Sequence, residues 1–377
     1  MQHFSKILIT LFFLLVSGTA MAVIPPPSVA ANGYLLVEME TGQVLAEQNA
    51  SKKLEPASLT KIMTAHVVFM ELEAKRISLS DMVLISEKAW RTQGSKMFIE
   101  VNKEVSVEDL LKGLIIQSGN DDAAIALAEH VAGSEEAFAT LMNQEAKKLG
   151  MKDSHFTNSS GLPDENHYTT ARDIALVTMA SIRDFPEYYK WYSERDFTFN
   201  EIKQDNRNTL LWQDATIDGV KTGHTEAAGY CLVSSALRDG RRLVSVIMGA
   251  QSTSARATES RKLLNYGFRF YVTKKLLSAN KPLQKVKVWK GATETIDVGI
   301  AKDLVQTIPH DSTDKIKASL TVDASLVAPI SKGTRLGSVK VTLDDKTLAT
   351  LPLVALSDVE SGSIFVVIKD SVLLMLQ

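Results

Sequence analysis

The sequence predicts an α+β protein with a larger domain of helices and strands followed by a small all-β domain. Three patterns carry this prediction. Helical spacing of apolar residues dominates the first half, strand-like runs replace it after Trp212, and only strand patterns broken by Gly, Pro and Asp follow from about Lys281. A length of 377 residues and an apolar content of 45% suit two domains with a substantial core.

The chain begins with a segment typical of a secretory signal peptide, residues 1–22. Lys6 precedes an apolar run at 7–16, and small residues lead to Ala20-Met21-Ala22. The apolar run is too short to cross a bilayer, which needs about 20 residues. We therefore expect an exported mature protein that starts near Val23. An uncleaved N-terminal anchor is the alternative.

Composition narrows the function classes. The 42 basic and 44 acidic residues give a net charge of −2, so nothing points to nucleic acid. The single cysteine, Cys231, excludes an internal disulfide, and its apolar surroundings favour a buried strand residue. None of the seven histidines are paired at ligand spacing, so we predict neither a metal nor another cofactor.

The elements of the first part can be assigned in order. Two short strands flank Thr41-Gly42, and a helix buried on most sides runs from Pro56 to about Arg76. Gly150 follows two lysines and is typical of a helix end. Four later segments have helical spacing, namely "SVEDLLKGLIIQSG", "NDDAAIALAEHVAG", "SEEAFATLMNQEAKKLG" and "TARDIALVTMASIRDF".

Three strands and a helix close this part. The strands are "DGVKTGHT", "GYCLVSSALRDG" and "RRLVSVIMGA", the last two joined at Arg238-Asp239-Gly240. The helix is predicted over "SARATESRKLLNYGFRFYVT". We place the first domain at 23–275 and the all-β domain at 283–356.

The C-terminal segment 361–377 is dense in apolar residues, with Lys369, Asp370 and Ser371 interrupting. It is too short to span a membrane and too apolar for a free tail. One interpretation is an interfacial helix that attaches the protein to a membrane surface. The other is a last strand and helix packed on the β domain.

Ser58 and Lys61 form an S-x-x-K pattern where the buried helix begins. Positions i and i+3 share a helix face, so the two side chains can touch. A neutral, desolvated lysine can take the serine's proton and create a nucleophile without histidine. The pattern also occurs at Ser278 and Ser312, but neither of these has a helix behind it.

Two further clusters fit the same chemistry. Ser118-Gly119-Asn120 lies in a turn between helices, where a hydroxyl can relay a proton and an amide can bind Lys61 and a substrate carbonyl. Lys221-Thr222-Gly223 is the only K-T-G. On an edge strand its backbone can pair with an extended peptide, Gly223 leaves room for close approach, and the charge of Lys221 favours a neutral Lys61.

Together these motifs resemble the serine penicillin-recognising enzymes, and in particular the D-alanyl-D-alanine carboxypeptidases among the low-molecular-weight penicillin-binding proteins. The similarity runs through "PASLTKIMTA", "LLKGLIIQSGNDDAAIALAEHVAGS", "HFTNSSGLPDENHYTTARDIALV" and "RATESRKLLNYGFRFY", and covers nearly all of the mature chain. It implies a β-lactamase/transpeptidase-like first domain, in which an antiparallel sheet is flanked by helices.

The resemblance also implies roles for individual residues. Ser58 would be the acylated nucleophile and Lys61 its base, with Ser118, Asn120 and Lys221 completing the catalytic set. Substrate would contact the residues Thr222, Gly223, His224, Arg256 and Arg207. Among these, the backbone N–H groups of Ser58 and His224 would form the oxyanion hole, and Arg256 would hold the terminal carboxylate.

The implied reaction is removal of the last D-alanine from peptidoglycan stem peptides, with covalent inhibition by β-lactams. Three alternatives stay open. A β-lactamase would share the site, although Glu165 and Asn166 are adjacent and not spaced as E-x-x-x-N. A D,D-endopeptidase would accept a longer leaving group, and a non-catalytic wall-binding scaffold would use the β domain.

Overall fold

The structure is a computed structural model that describes residues 25–117 and 120–376. The predicted signal peptide, 1–22, and the predicted site residue Ser118 lie outside the described residues. Within the described ranges, every helix is too short or too polar to cross a membrane.

A five-stranded antiparallel sheet forms the centre of the first domain, in the order β2-β1-β9-β8-β7. The strand β7, which carries the K-T-G sequence, lies at an edge, the position from which its backbone can pair with an extended peptide. The hairpin around Thr41-Gly42 is also confirmed. The five strands are β1 (Gly33–Glu38), β2 (Val44–Gln48), β7 (Ile217–Thr225), β8 (Gly229–Arg238) and β9 (Arg241–Ala250).

Helices cover both faces of this sheet, because β8 and β9 carry apolar side chains on each face. The larger core packs the helices that follow Ser58 against one face, and the last helix of the domain covers the other. The helices are α1 (Thr60–Glu73), α2 (Glu87–Arg91), α3 (Val107–Ile116), α4 (Asp121–Ala132), α5 (Glu135–Lys148), α6 (Ala171–Asp184), α7 (Pro186–Tyr189), α8 (Leu210–Gln213) and α9 (Thr253–Phe270).

Helix ends follow local chemistry. The side chains of Ser106, Ser134, Thr170 and Ser252 each accept a backbone N–H at a helix start, and the first turns after Ser106 and Ser134 carry acidic residues. Gly150 follows α5 with a φ of +79°, the left-handed conformation expected where a helix stops.

Two small antiparallel pairs of strands border the helical side. They are β3 (Met82–Leu84) with β4 (Glu104–Ser106), and β5 (Asp196–Phe199) with β6 (Ile202–Asp205). Short 3₁₀ segments occur at Ala57–Leu59, Lys190–Ser193 and His310–Lys315, the last with a kink at Asp311. The first of these carries Ser58.

The C-terminal domain is all-β, as predicted. One sheet pairs β10 with β13, and a second runs in the order β11-β12-β16-β15-β14 around its own apolar core. The strands are β10 (Tyr271–Leu277), β11 (Gln284–Lys287), β12 (Thr295–Gly299), β13 (Leu304–Pro309), β14 (Ile316–Val322), β15 (Arg335–Leu343) and β16 (Lys346–Ala355).

The predicted extent of the last helix of the first domain is wrong. That prediction continued it to Thr273, whereas α9 ends at Phe270 and the chain goes on as β10. Tyr271 pairs with Pro309, and Thr273 pairs with Thr307. Pairing with a distant strand therefore overrides the helical spacing that extends past Phe270.

The C-terminal segment forms α10 (Ile364–Met375), in which no residue is buried. Asp370 accepts the Lys290 N–H at 2.7 Å, which ties one face of the helix to the β domain. Ile364, Phe365, Ile368, Val372 and Met375 point away from Asp370 and form an exposed apolar face, and Leu373 and Leu376 are exposed as well. Ser361 makes only an isolated bridge with Gly291, so the strand of the second interpretation is not formed there.

Candidate active site

The predicted contact between Ser58 and Lys61 is present. Ser58 lies in the 3₁₀ turn that leads into α1, and Lys61 lies in the first turn of α1. Lys61 Nζ donates to Ser58 Oγ at 3.0 Å. The lysine is fully buried, while Ser58 lines a cleft at the surface. A serine that substrate can reach is thus in direct contact with a lysine that water cannot reach.

Lys61 makes two further hydrogen bonds, and the sequence did not reveal either. Its Nζ donates to Asp121 Oδ1 at 2.6 Å and to the Ser160 carbonyl at 2.7 Å. All three donors of an ammonium group are therefore used. Asp121 is the first residue of α4 and directly follows the predicted site sequence Ser118-Gly119-Asn120.

Asn120 does not make the contact predicted for it. The residue is fully buried, and its side-chain amide donates to the Gly113 carbonyl at 2.8 Å. Its Oδ1 has no partner among the described residues. Asn120 has a φ of +49°, which turns the chain so that Asp121, and not Asn120, faces Lys61.

Asp121 also fixes the segment around Ser95 at the rim of the cleft. Its Oδ2 accepts the Ser95 N–H at 2.7 Å, and its own N–H donates to the Ser95 carbonyl at 2.8 Å. Gly94 has a φ of +96°, and a side chain there would overlap the Asp121 carboxylate. Only glycine lets this segment close over the carboxylate.

The K-T-G strand runs alongside the turn that holds Ser58. A Cβ at Gly223 would lie 3.2 Å from the Ser58 nitrogen and 3.1 Å from the Pro56 carbonyl oxygen, so glycine is what permits the approach. Lys221 is buried on this strand. Burial, followed by the positive charges of Lys61 and Arg207, holds the pKa of Lys221 well below its usual value.

The two predicted arginines both reach the cleft. Arg256, on α9, donates to the Gly223 carbonyl at 3.2 Å, and burial lowers its pKa to about 10. Arg207 donates to Ser95 Oγ at 3.0 Å, and burial lowers its pKa also. The ring of Tyr230 lies against His224, with centroids 4.1 Å apart, beside Arg256.

The cleft has a volume of about 460 Å³. It brings together most of the predicted residues, although Lys61, Asn120 and Lys221 lie beneath its surface. Its described lining is Ser58, Gly94, Ser95, Asp121, Gly161, Leu162, Arg207, Thr222, Gly223, His224, Thr225, Tyr230, Thr253 and Arg256. Glu165 is exposed and is not among these residues. No cluster of His, Cys, Asp and Glu suited to a metal occurs in the part of the chain that the structure describes.

Comparisons with known proteins agree with this arrangement. Residues 19–252 match the peptidase S11 family, described as D-alanyl-D-alanine carboxypeptidase, and residues 271–361 match the C-terminal domain of penicillin-binding protein 5. The D-alanyl-D-alanine carboxypeptidase DacC of Escherichia coli is 43% identical over 374 residues, which are 96% of this chain and 93% of that protein.

Solved structures extend the similarity to the fold. Penicillin binding protein 5 from Haemophilus influenzae has a TM-score of 0.81 at 42% identity, covering 90% of this chain and all (100%) of that one. Penicillin-binding protein D2 from Listeria monocytogenes, solved in an ampicillin-bound form, has a TM-score of 0.60 at 31% identity, covering 65% of this chain and 99% of its own. The predicted fold class is confirmed. The chain belongs to the peptidase S11 family of D-alanyl-D-alanine carboxypeptidases.

Proposed function

We propose that this carboxypeptidase removes the terminal D-alanine of peptidoglycan stem peptides through an acyl-enzyme on Ser58. The observation that carries the proposal is the 3.0 Å contact between Ser58 Oγ and the buried Lys61 Nζ at the floor of a cleft. Thr222, Gly223 and Arg256 line the same cleft, so a nucleophile, an edge strand and a cation face one bound peptide.

Acylation starts with attack of Ser58 Oγ on the carbonyl carbon between the last two D-alanines. Lys61 takes the serine proton once it has lost one of its own, and it can keep its bonds to Asp121 and Ser160 while presenting a lone pair to Ser58. The backbone N–H groups of Ser58 and His224 lie on facing elements, where they stabilise the oxyanion.

Substrate recognition and release involve the other side of the cleft. The peptide pairs with the edge strand β7, and its terminal carboxylate binds Arg256. Lys221 has a lowered pKa and can pass a proton toward the leaving amine, with Ser118 as the relay. Water then hydrolyses the ester on Ser58 and restores the free enzyme.

Release of D-alanine from an acylated Lys-D-Ala-D-Ala peptide tests the reaction and the nucleophile together. We expect release by the wild type and none by Ser58→Ala. Ser278→Ala is the matched control, because Ser278 has the same S-x-x-K spacing but lies in the C-terminal domain, in the segment between β10 and β11. Release by Ser58→Ala, or loss of release in Ser278→Ala, would contradict the proposal.

The two lysines are expected to be needed for acylation itself. Lys61→Ala and Lys221→Ala should each slow acylation by at least about 10²-fold, the scale of losing a positioned proton acceptor or charge stabiliser. The rate of covalent labelling by a fluorescent penicillin measures this step without deacylation. Near-normal labelling of either variant would remove that lysine from the mechanism.

Binding of β-lactams follows from the same site. A β-lactam places a strained amide and a carboxylate where the D-alanyl-D-alanine end would lie, so it acylates Ser58. The ampicillin-bound form of the Listeria relative supports this expectation. Glu165 is exposed and away from the cleft lining, so we expect slow release of the bound drug, unlike that of an efficient β-lactamase.

We further propose that the protein works in the periplasm, attached to the inner membrane by α10. The exposed apolar face of this helix can enter a lipid interface while Asp370 keeps the helix joined to the β domain. Vesicles of anionic and zwitterionic phospholipid should sediment the full mature chain. The chain cut after residue 360 should stay in solution, and its sedimentation would exclude the helix as the anchor.

A further inference from the structure

We propose that His167 is a positioning residue for acylation, because it ties the loop that carries the Ser160 carbonyl to the start of α1. The start of this helix carries Ser58 and Lys61. The inference rests on the proposed function, since the position of Lys61 matters only if this lysine takes the serine proton. We call residues 157–162 the Ser160 loop. His167 is not among the described residues that line the cleft, so it would act without touching substrate.

The hydrogen bonds of His167 define its tautomer. The Thr157 backbone N–H donates to Nδ1 at 3.2 Å. A backbone N–H can only donate, so Nδ1 has no proton and the ring hydrogen of the neutral imidazole is on Nε2. Nε2 then donates to Thr60 Oγ1 at 2.8 Å. One ring therefore joins the start of the Ser160 loop to the first residue of α1.

The surroundings of His167 keep its ring neutral, as this tautomer requires. The side chain is buried, and burial lowers its pKa to about 4. Among the charged groups around the ring, Asp164 and Glu135 favour protonation, whereas His155 and Lys61 oppose it. A protonated ring would turn a second N–H toward the backbone N–H that Nδ1 accepts. Near neutral pH the ring therefore keeps both bonds.

The Ser160 loop packs directly on the first turn of α1. Lys61 Nζ donates to the Ser160 carbonyl at 2.7 Å. A Cβ on Gly161 would lie 2.8 Å from Thr60 Oγ1, so the hydroxyl that accepts from His167 lies close against the same loop. A shift of this loop away from α1 would move the carbonyl that orients Lys61 Nζ.

The bond from His167 to Thr60 matters because Lys61 is itself a reacting group. In the proposed reaction Lys61 gains and loses a proton in each turnover, so its own bond to the Ser160 carbonyl changes in strength. The bond from His167 to Thr60 takes no part in the proton transfer. It can therefore hold the loop in one place while the charge on Lys61 changes.

Other buried groups hold the rest of the Ser160 loop. Thr64 Oγ1 donates to the Ser159 carbonyl at 2.6 Å, one helix turn further along α1. Glu135 Oε1 accepts the Ser159 N–H at 3.0 Å. With these bonds in place, loss of the His167 bond should displace the end of the loop nearest Ser58 and leave the loop folded. We therefore expect the rate of acylation to fall by more than the loss of stability explains.

Labelling of the full mature chain by a fluorescent penicillin at several concentrations separates binding from reaction. The concentration at half-maximal rate reports binding, and the maximal rate reports the chemical step. His167→Phe keeps a ring edge-on to Phe156 but loses both ring nitrogens. Its maximal rate should fall at least about 10-fold, because a displacement of about 1 Å can cost about 10²-fold. Its half-maximal concentration should stay within about two-fold of wild type, since His167 does not touch the ligand.

His66→Phe is the matched control. His66 is also a buried histidine of the first domain, lies edge-on to Phe185, and has its Nδ1 2.9 Å from Ser181 Oγ. Burial lowers its pKa to about 4 as well. His66→Phe should lower the free energy of unfolding by a similar amount, measured by urea unfolding, and keep the maximal rate within about two-fold. A purely structural role of His167 would give the same result for both variants.

Two further variants show which ring nitrogen matters. His167→Gln places a side-chain nitrogen near the Nε2 position, where it can still donate to Thr60, so its maximal rate should stay within about five-fold of wild type. His167→Asn places an oxygen near the Nδ1 position only, and should be as slow as His167→Phe. Thr60→Val removes the same bond from the other side and carries the test if His167→Phe does not fold. The double variant of Thr60→Val and His167→Phe should be no slower than the slower single variant, since both act through one bond.

The outcomes separate this inference from the function on which it rests. Equal maximal rates of His167→Phe and His66→Phe, or no recovery in His167→Gln, would overturn the positioning role and leave acylation of Ser58 standing. A raised half-maximal concentration at an unchanged maximal rate would also overturn it, because His167 would then act in binding. If the wild type is not labelled on Ser58, the proposed function and this inference both fall.

Discussion

Gly161 is the residue whose replacement should damage the site most without touching a catalytic side chain. It has a φ of +88° and packs against the turn that holds Ser58. A Cβ at this position would overlap the Ala57 carbonyl oxygen, lie 2.5 Å from the Ala57 carbonyl carbon and lie 2.8 Å from Thr60 Oγ1. Backbone cannot move aside as the end of a flexible side chain can, so the loop or the turn must shift.

The cost of Gly161→Ala has two parts. A left-handed backbone conformation costs alanine about 1 kcal/mol relative to glycine. Overpacking against a fixed neighbour adds about 1–3 kcal/mol, for a total loss of about 3 kcal/mol in the free energy of unfolding. The shift also moves the Ser160 carbonyl, which accepts from Lys61 at 2.7 Å. Because a displacement of about 1 Å can cost about 10²-fold in rate, acylation should fall on that scale.

Gly133→Ala is the matched control. Gly133 has a φ of +78°, and a Cβ there would meet nothing within 4 Å. It should lose about 1 kcal/mol of stability from the backbone conformation alone and keep its acylation rate. Urea unfolding followed by circular dichroism measures the first quantity, and fluorescent penicillin labelling measures the second. Equal stability and equal labelling of the two variants would refute the close-packing argument.

Two further predictions follow from the contacts and charges of the buried residues. Asp121→Asn should slow penicillin labelling at least about 10-fold, because an amide has one oxygen to replace the two that accept from Lys61 and the Ser95 N–H; labelling within two-fold of wild type would contradict this. Stability should also fall in acid, since burial lowers the pKa of His66 and of His167 to about 4. The unfolded chain, with histidine pKa values of about 6.5, then binds more protons than the folded one between these limits. Each histidine's contribution, about 3 kcal/mol, is complete above pH 6.5 and is lost as the pH falls to 4. Urea unfolding at pH 7.5 and 4.5 should show this loss, and His66→Gln should reduce it; a loss unchanged in that variant would exclude His66 as a source.

The part of the site that the sequence predicts is the part set by local geometry. Spacing of i and i+3 was enough to bring Ser58 and Lys61 together, and helical context distinguished this pair from the copies at Ser278 and Ser312.

The contacts that the sequence did not reveal join residues far apart in the chain. Lys61 meets Asp121 and Ser160 across 60 and 99 positions, and no local spacing encodes either contact. The exchange of roles between Asn120 and Asp121 depends on one left-handed residue, which reverses the faces of its neighbours. Asparagine tolerates the left-handed conformation well, so the sequence is compatible with either Asn120 or Asp121 facing Lys61.

The two lysines of the site, Lys61 and Lys221, have different charged neighbours. Asp121 pairs with Lys61 at 2.6 Å, whereas burial, followed by the positive charges of Lys61, Arg207 and Arg256, lowers the pKa of Lys221. The carboxylate of a bound substrate would offset those charges and favour the protonated form of Lys221. We therefore expect Lys221 to gain a proton as the peptide binds and to have one to give when the amine leaves. A substrate without the terminal carboxylate should then lose rate in the acylation step, and not in binding alone.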